Sequence, residues 1–177
     1  MAGVVALLAP LLFARCADAP SAPADSQISA PSISLAAESI SATEFGRLLG
    51  VIADDSMRGR ATPSPGLELT AEFGASTFRN VGLAPGGDAG TFIQRYPITL
   101  PGSLGTATPP NTIGVLEGSA ASLRGEYVLL TAHMDHLGVA GGGQNCAPSG
   151  ADSICNGAND NASGTVAFWA FLDTGDE

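Results

Sequence analysis

The sequence predicts an α/β domain, and three observations support this class. Two amphipathic helical patterns lie between residues 41 and 80, and apolar segments of strand length follow between residues 92 and 132. Turns rich in glycine and proline separate these segments. The 177 residues are enough for one domain, and an apolar fraction of 45% is enough for a core. A disordered chain is therefore excluded.

The first 24 residues are predicted to be a signal peptide. The apolar stretch from Val4 to Ala14 has the length of a signal-peptide core and is too short to span a bilayer. Small residues suited to cleavage follow, with Ala22–Ala24 as the later of two sites. The mature protein is therefore expected to be periplasmic or extracellular, without stable membrane insertion.

A flexible linker is predicted over residues 25–35, because the stretch Ala17–Ser32 is rich in alanine, serine and proline. The folded domain is then expected over residues 36–177. A lipoprotein attached through Cys16 is the weaker alternative, since Arg15 stands where a lipidation motif needs a small residue.

Two helices open the predicted domain. The first begins at the capping box Ser41–Glu44, and apolar residues follow it at helical spacing: Phe45, Leu48, Leu49 and Ile52. A polar turn region separates it from the second helix, which is predicted over Leu67–Asn80 and ends at Gly82. The second helix also has one apolar face, formed by Leu67, Ala71, Ala75 and Phe78.

Three strands are predicted after the helices. Residues Phe92–Ile98 alternate as a half-exposed strand does, and Thr112–Leu116 follows after the connector Pro101–Pro110. The third strand, Tyr127–Ala132, is apolar on both faces, which predicts a position inside the sheet.

The charge balance restricts the partners. Seventeen acidic residues against seven basic ones, all of them arginine, give a formal net charge of −10. This balance argues against nucleic acid and against an anionic membrane as partners. No feature of the sequence specifies an oligomeric state.

Two polar motifs follow the third predicted strand. His133 and Asp135 stand directly after it, and Asp160 lies in a glycine-flanked loop, Asn156–Gly164, before an apolar segment. Strand ends and helix starts are where α/β proteins bring ligands from different elements together. Imidazole nitrogen and carboxylate oxygen are donors that zinc accepts. The motifs therefore predict a metal site.

The two motifs together resemble those of the co-catalytic zinc aminopeptidases, the bacterial leucyl aminopeptidase and aminopeptidase Y family. They stand here as His133-Met-Asp135 and Gly157-Ala-Asn-Asp160-Asn-Ala-Ser-Gly164. The resemblance implies a zinc-exopeptidase-like three-layer sandwich with a mixed central sheet, and two zinc ions per site. It implies that His133 ligates one zinc, that Asp160 bridges both, and that Asp135 acts in catalysis by orienting the His133 ring. The implied substrate is the amino terminus of a peptide or protein.

The resemblance also implies that part of the family's catalytic set is missing. In the family, a Glu-Glu pair supplies the general base and a zinc ligand, and a further Asp and His complete the metal site. Residues 165–172 correspond to the start of the helix that precedes this pair, and the only histidines of the chain are His133 and His136. We therefore expect residues 36–177 to be a partial metallopeptidase domain, incomplete at its C-terminus and without appreciable peptidase activity. Two alternatives stay open: an inactive exported α/β remnant, and a single-zinc enzyme similar to glutaminyl cyclases.

Cys146 and Cys155 lie nine positions apart, between the two motifs. In an exported protein, two thiols this close more often pair than stay free, so a disulfide is predicted. The alternative is a structural zinc bound by these cysteines with His133 and His136, although the spacing matches no common zinc module. Outside that alternative, His136 is interpreted as a loop residue hydrogen-bonded to backbone.

Overall fold

A computed structural model describes residues 34, 37–38, 40–102, 105–142, 145–147 and 150–172. The predicted signal peptide, residues 1–24, lies outside the described residues. The predicted linker, residues 25–35, also lies outside them except for residue 34.

Helix α1, Ala42–Ile52, forms where the capping box predicts a helix. The Ser41 side chain accepts a hydrogen bond from the Glu44 backbone N–H at 3.1 Å, which satisfies one of the free N–H groups of the first turn. The reciprocal half of the box does not form, because the Glu44 carboxylate accepts from Arg47 instead. Leu48 and Ile52 are buried, so the predicted apolar face is the packed one.

Helix α2, Pro65–Asn80, begins two residues before the predicted start. Ser64 caps it by accepting from the Leu67 backbone N–H, and Pro65 occupies the first turn, where a missing N–H costs nothing. The predicted end is confirmed, since Gly82 adopts a left-handed φ of 75° just after the helix. The predicted apolar face is also confirmed, with four buried residues: Leu67, Ala71, Ala75 and Phe78.

A short 3-10 segment, Asp55–Arg60, joins the two helices in the region predicted as a polar turn. Three consecutive residues there, Arg58, Gly59 and Arg60, have positive φ angles of 51°, 63° and 51°. A side chain at position 59 would clash with the carbonyl oxygens of Gly138 and Cys155. The segment therefore packs closely against the chain on either side of the candidate site.

The described strands are short and pair in four antiparallel two-stranded sheets: β1 (Ala84–Pro85) with β6 (Gly114–Val115), β2 (Ile93–Arg95) with β5 (Pro110–Thr112), β3 (Ile98–Thr99) with β4 (Thr106–Ala107), and β7 (Gly138–Val139) with β8 (Ile154–Cys155). In the pairing registers, Ile93 faces Thr112 and Gly138 faces Cys155. Helices combined with small sheets agree with the predicted α/β class in its broad sense.

The predicted strand Phe92–Ile98 is two strands, β2 and β3, with different partners. Pro97 lies between them, and a proline has no backbone N–H for a sheet ladder. The predicted connector Pro101–Pro110 is also wrong in part, because β4 lies inside it and pairs back on β3. The predicted strand Thr112–Leu116 is likewise divided between β5 and β6.

The predicted inner strand Tyr127–Ala132 is wrong in this structure. Tyr127, Val128 and Leu129 are 86%, 92% and 84% exposed. An extended segment becomes a strand only when a neighbour takes its N–H and C=O groups, and no described strand pairs with it. Leu129 and Leu130 instead line a cavity of about 380 Å³, together with residues that include Phe168 and Trp169.

Helix α3, Ser163–Leu172, carries the centre of the core. Val166 is fully buried and Trp169 is 2% exposed. The Trp169 ring packs edge-on against Phe73 of α2 at 5.8 Å between centroids, and Phe168 packs edge-on against Phe78 at 5.9 Å. The core therefore lies among the three helices. None of the helices described is long and apolar enough to cross a membrane.

Candidate metal centre

Two flanking elements hold the segment from His133 to His136. The backbone N–H of His136 donates to the Arg60 carbonyl at 3.0 Å, which ties the segment to the 3-10 turn. The Thr165 hydroxyl, in the first turn of α3, donates to the His133 carbonyl at 2.9 Å. The position of His133 is therefore set by hydrogen bonds to the backbone of its own segment, and it does not depend on a paired strand.

Asp160 lies in the turn Ala158–Ala162, directly before α3. Gly157 opens this turn with a left-handed φ of 57°, and its carbonyl accepts from the Ala162 N–H at 3.2 Å. A Cβ atom at position 157 would clash with the His136 ring. The glycine thus lets the two motifs approach closely, as its lack of a side chain allows.

The structure brings His133, Asp135 and Asp160 together. Nε2 of His133 lies 3.4 Å from Oδ1 of Asp160. Nδ1 of His133, on the other side of the ring, lies 3.2 Å from both Oδ1 and the backbone oxygen of Asp135. A proton on Nδ1 is therefore directed to Asp135, and the lone pair of Nε2 is directed to Asp160.

Thr62 holds the carboxylate of Asp135 in place by a hydrogen bond. Its hydroxyl donates to Oδ2 of Asp135 at 2.7 Å, which leaves Oδ1 of the same carboxylate for His133. The sequence does not identify Thr62 or Thr165 as site residues. Thr62 is separated from Asp135 by 73 positions, and Thr165 from His133 by 32. No local pattern connects residues at such separations, so only the folded chain shows them.

His136 lies on the inner side of the same cluster. Its Nδ1 is 3.9 Å from Oδ2 of Asp160, and 13% of its side chain is exposed. Partial burial lowers the pKa of His136; Asp160 opposes this effect, whereas the nearby Arg60 cation adds to it. His136 is thus a neutral ring beside the carboxylate at neutral pH.

The distance between His133 and Asp160 suits a shared zinc ion. Zinc binds nitrogen and carboxylate oxygen at about 2.0–2.2 Å, so two ligands at a tetrahedral angle lie about 3.3–3.5 Å apart. Both side chains are accessible, with 56% of His133 and 72% of Asp160 exposed. The part of the chain that the structure describes contains no group of three or more His, Cys, Asp or Glu side chains able to hold a metal ion. The pair fits two positions of a zinc site and does not complete one.

Cys146 and Cys155 form a disulfide, with their Cα atoms 5.8 Å apart. Because oxidised sulfurs are not thiolate ligands, the structure contradicts the alternative of a structural zinc bound by these cysteines. Cys155 belongs to β8 and faces Gly138 of β7, two residues after His136. The disulfide therefore joins two positions within the loop between the two motifs, and one of them lies in the β7–β8 pair.

Comparison with known proteins finds a match to a family model over part of the chain. Residues 111–175 match the model of peptidase family M28, and this range contains His133, Asp135 and Asp160. No curated protein and no solved structure matches the chain significantly. The resemblance to the co-catalytic zinc aminopeptidases is thereby confirmed at the level of the family for residues 111–175.

Proposed function

We propose that this chain carries the His133 and Asp160 half of a zinc centre that hydrolyses the amino-terminal peptide bond of its substrate. The observation that carries the proposal is the distance of 3.4 Å between Nε2 of His133 and Oδ1 of Asp160. Both residues lie within residues 111–175, which match the peptidase family. The three-layer sandwich of the zinc exopeptidases is the fold proposed for the complete domain.

The proposed roles follow from the positions of the side chains. His133 presents Nε2 to the metal because Asp135 takes the proton on Nδ1, and Thr62 holds the Asp135 carboxylate in turn. Asp160 has two oxygens, so it can serve a second zinc as well, as the family resemblance implies. A zinc ion bound there would act as a Lewis acid on the peptide carbonyl and would lower the pKa of water.

The environment also agrees with a peptide amino terminus as substrate. The site is open, and the chain has a net charge of −10, which attracts a protonated amine and repels nucleic acid. A disulfide beside the site suits an oxidising compartment, so export to the periplasm or the exterior belongs to the proposal.

We further propose that the 177 residues bind zinc weakly and do not turn over substrate. Neither a third donor nor a glutamate completes the His133 and Asp160 pair within the described residues. Both histidines of the chain already lie in this cluster. No observation favours the single-zinc cyclase chemistry over the peptidase. The zinc titration described next distinguishes the proposed site from an inactive remnant.

The test is a calorimetric zinc titration of the purified chain with three variants: His133→Ala, Asp160→Asn and the matched control Asp152→Asn. Asp152 is exposed and lies between His133 and Asp160 in the sequence, but it is not part of the cluster that these two residues form. We expect the first two substitutions to weaken zinc binding at least tenfold and the control to leave it unchanged.

A wild-type chain that binds no zinc would support the inactive remnant and would overturn the proposed site. Equal zinc affinity in all variants would place the metal elsewhere. Zinc-dependent hydrolysis of an aminoacyl anilide would show that the centre is complete, and would overturn the proposed lack of turnover.

A further inference from the structure

Arg60 is the largest fully buried side chain among the described residues, with a relative exposure of 0%. Burial lowers its pKa, and the charges of Asp135 and Asp160 oppose this effect. Burying a guanidinium is unfavourable unless its N–H groups find acceptors. The contacts that Arg60 makes are therefore informative about its role.

The guanidinium donates four hydrogen bonds, all to backbone carbonyls. Nε donates to Met134 at 2.7 Å, within the His133–His136 segment. Nη1 donates to Asn156 at 2.7 Å and Nη2 to Gly157 at 3.1 Å, within the segment that leads to Asp160. Nη1 also donates to Ile52 at 2.5 Å, at the C-terminus of α1, where the helix dipole favours a cation.

The backbone of Arg60 adds a second connection. Its carbonyl accepts from the His136 N–H at 3.0 Å, so Arg60 holds the chain on both sides of Asp135. Its φ of 51° is in the left-handed region, which non-glycine residues occupy only where the surroundings require it. Side chain and backbone thus act on the same two segments.

We infer that Arg60 is the positioning residue of the metal centre: its buried guanidinium joins the His133 and Asp160 segments and sets the distance between the two ligands. This inference rests on the proposed zinc site for its function, but the joining of the two segments can be tested without metal. Neither motif contains Arg60, and the four hydrogen bonds of its guanidinium go to backbone carbonyls, not to a ligand side chain.

A lysine cannot replace Arg60 in this role. The guanidinium is planar and directs its donors to carbonyls on three separate segments, whereas a lysine has three donors on one atom. Arg60→Lys therefore keeps the positive charge and loses the bridge between segments. Arg58→Lys is the matched control, because Arg58 is exposed, lies in the same turn and has the same φ of 51°.

The experiment compares hydrogen exchange and zinc affinity in the wild type, Arg60→Lys and Arg58→Lys, with the disulfide intact and the fold verified by circular dichroism. In Arg60→Lys we expect faster exchange in peptides covering residues 133–137 and 156–162, with exchange in α2 unchanged. Because contacts behind metal ligands typically change affinity by about 10–100-fold, we expect the zinc dissociation constant to rise at least tenfold. Arg58→Lys should match the wild type in both measurements.

Wild-type exchange in both segments of a folded Arg60→Lys variant would overturn the inference, as would an equal increase in α2, which would indicate general destabilisation. Unchanged zinc affinity in the variant would also overturn it. If the wild type binds no zinc, the proposed function fails, and hydrogen exchange alone decides whether Arg60 joins the segments.

If Arg60→Lys does not fold, the wild type provides the test. The Nε–H resonance of Arg60, assigned by nuclear magnetic resonance, should shift when zinc is added, because its acceptor Met134 adjoins His133. A resonance that does not move at saturating zinc would overturn the inference.

Discussion

Helix α3 and the segment Tyr127–Leu130 are both apolar, yet they have opposite environments. In α3, Val166 is fully buried and Trp169 is 2% exposed. In the segment, Val128 is 92% exposed and Leu130 is 50% exposed. The hydrophobic driving force per unit area is the same for both, so composition does not explain the difference.

The backbone explains it. A helix satisfies most of its N–H and C=O groups internally, and so α3 needs only an apolar surface to pack against, which α1 and α2 supply. A strand needs a neighbour for its hydrogen bonds, and none of the described strands provides one for Tyr127–Leu130. The comparison shows that an apolar sequence predicts burial only where the partner surface exists.

The substitution with the largest expected effect lies in α3, the buried one of the two regions compared. Trp169→Ala removes a ring that packs on Phe73 and Gly74 of α2, and the cavity it leaves should lower the free energy of unfolding by about 3–5 kcal/mol. Urea unfolding measures this change. Phe171→Ala is the control in the same helix, because Phe171 is 53% exposed and should cost less than about 1 kcal/mol. Equal losses would contradict the position of the core.

A second substitution tests whether the 3-10 segment Asp55–Arg60, beside the candidate site, is packed as closely as the core. Gly59→Ala places a Cβ atom against two carbonyl oxygens at a φ of 63°, and should lower the free energy of unfolding by about 1–3 kcal/mol. Gly46→Ala is the opposite case, since nothing lies within 4 Å of its added Cβ in helix α1. It should stabilise the protein by about 0.5–1 kcal/mol. A Gly59→Ala variant as stable as the wild type would show that the turn is loose.

The smallest effect is expected in the exposed segment. Val128→Thr should change the free energy of unfolding by less than about 0.5 kcal/mol, because the side chain already contacts water. The same substitution at the buried Val166 should cost about 1 kcal/mol or more, since it buries a hydroxyl. Thermal unfolding of the two variants compares them directly. A large loss at Val128 would mean that the segment is packed in solution.

Much of the helical fold follows from the sequence. Ser41 starts α1 and Gly82 follows the end of α2, because capping and left-handed glycine act over a few residues. The strands are harder to predict, since pairing joins distant residues and Pro97 interrupts a run that otherwise alternates well.

The candidate site likewise has residues that the sequence predicts and residues that only the folded chain reveals. His133, Asp135 and Asp160 stand in recognisable motifs, whereas the hydrogen bonds that join Arg60 and Thr62 to these motifs span 73 to 97 positions. Arg60 looks like a solvated charge in a polar turn when only its neighbours are considered. Its burial depends on four carbonyls from three segments, which no local pattern reveals.

The amino-acid sequence by itself determined the helices, the pair of polar motifs and the family resemblance, because each depends on residues close together in the chain. Only the tertiary structure decided that Nε2 of His133 faces Asp160, that a buried arginine joins their segments, and that Tyr127–Leu130 is exposed. Hydrogen-bond partners and packing surfaces come from distant parts of the chain, and they exist only after folding has brought those parts together.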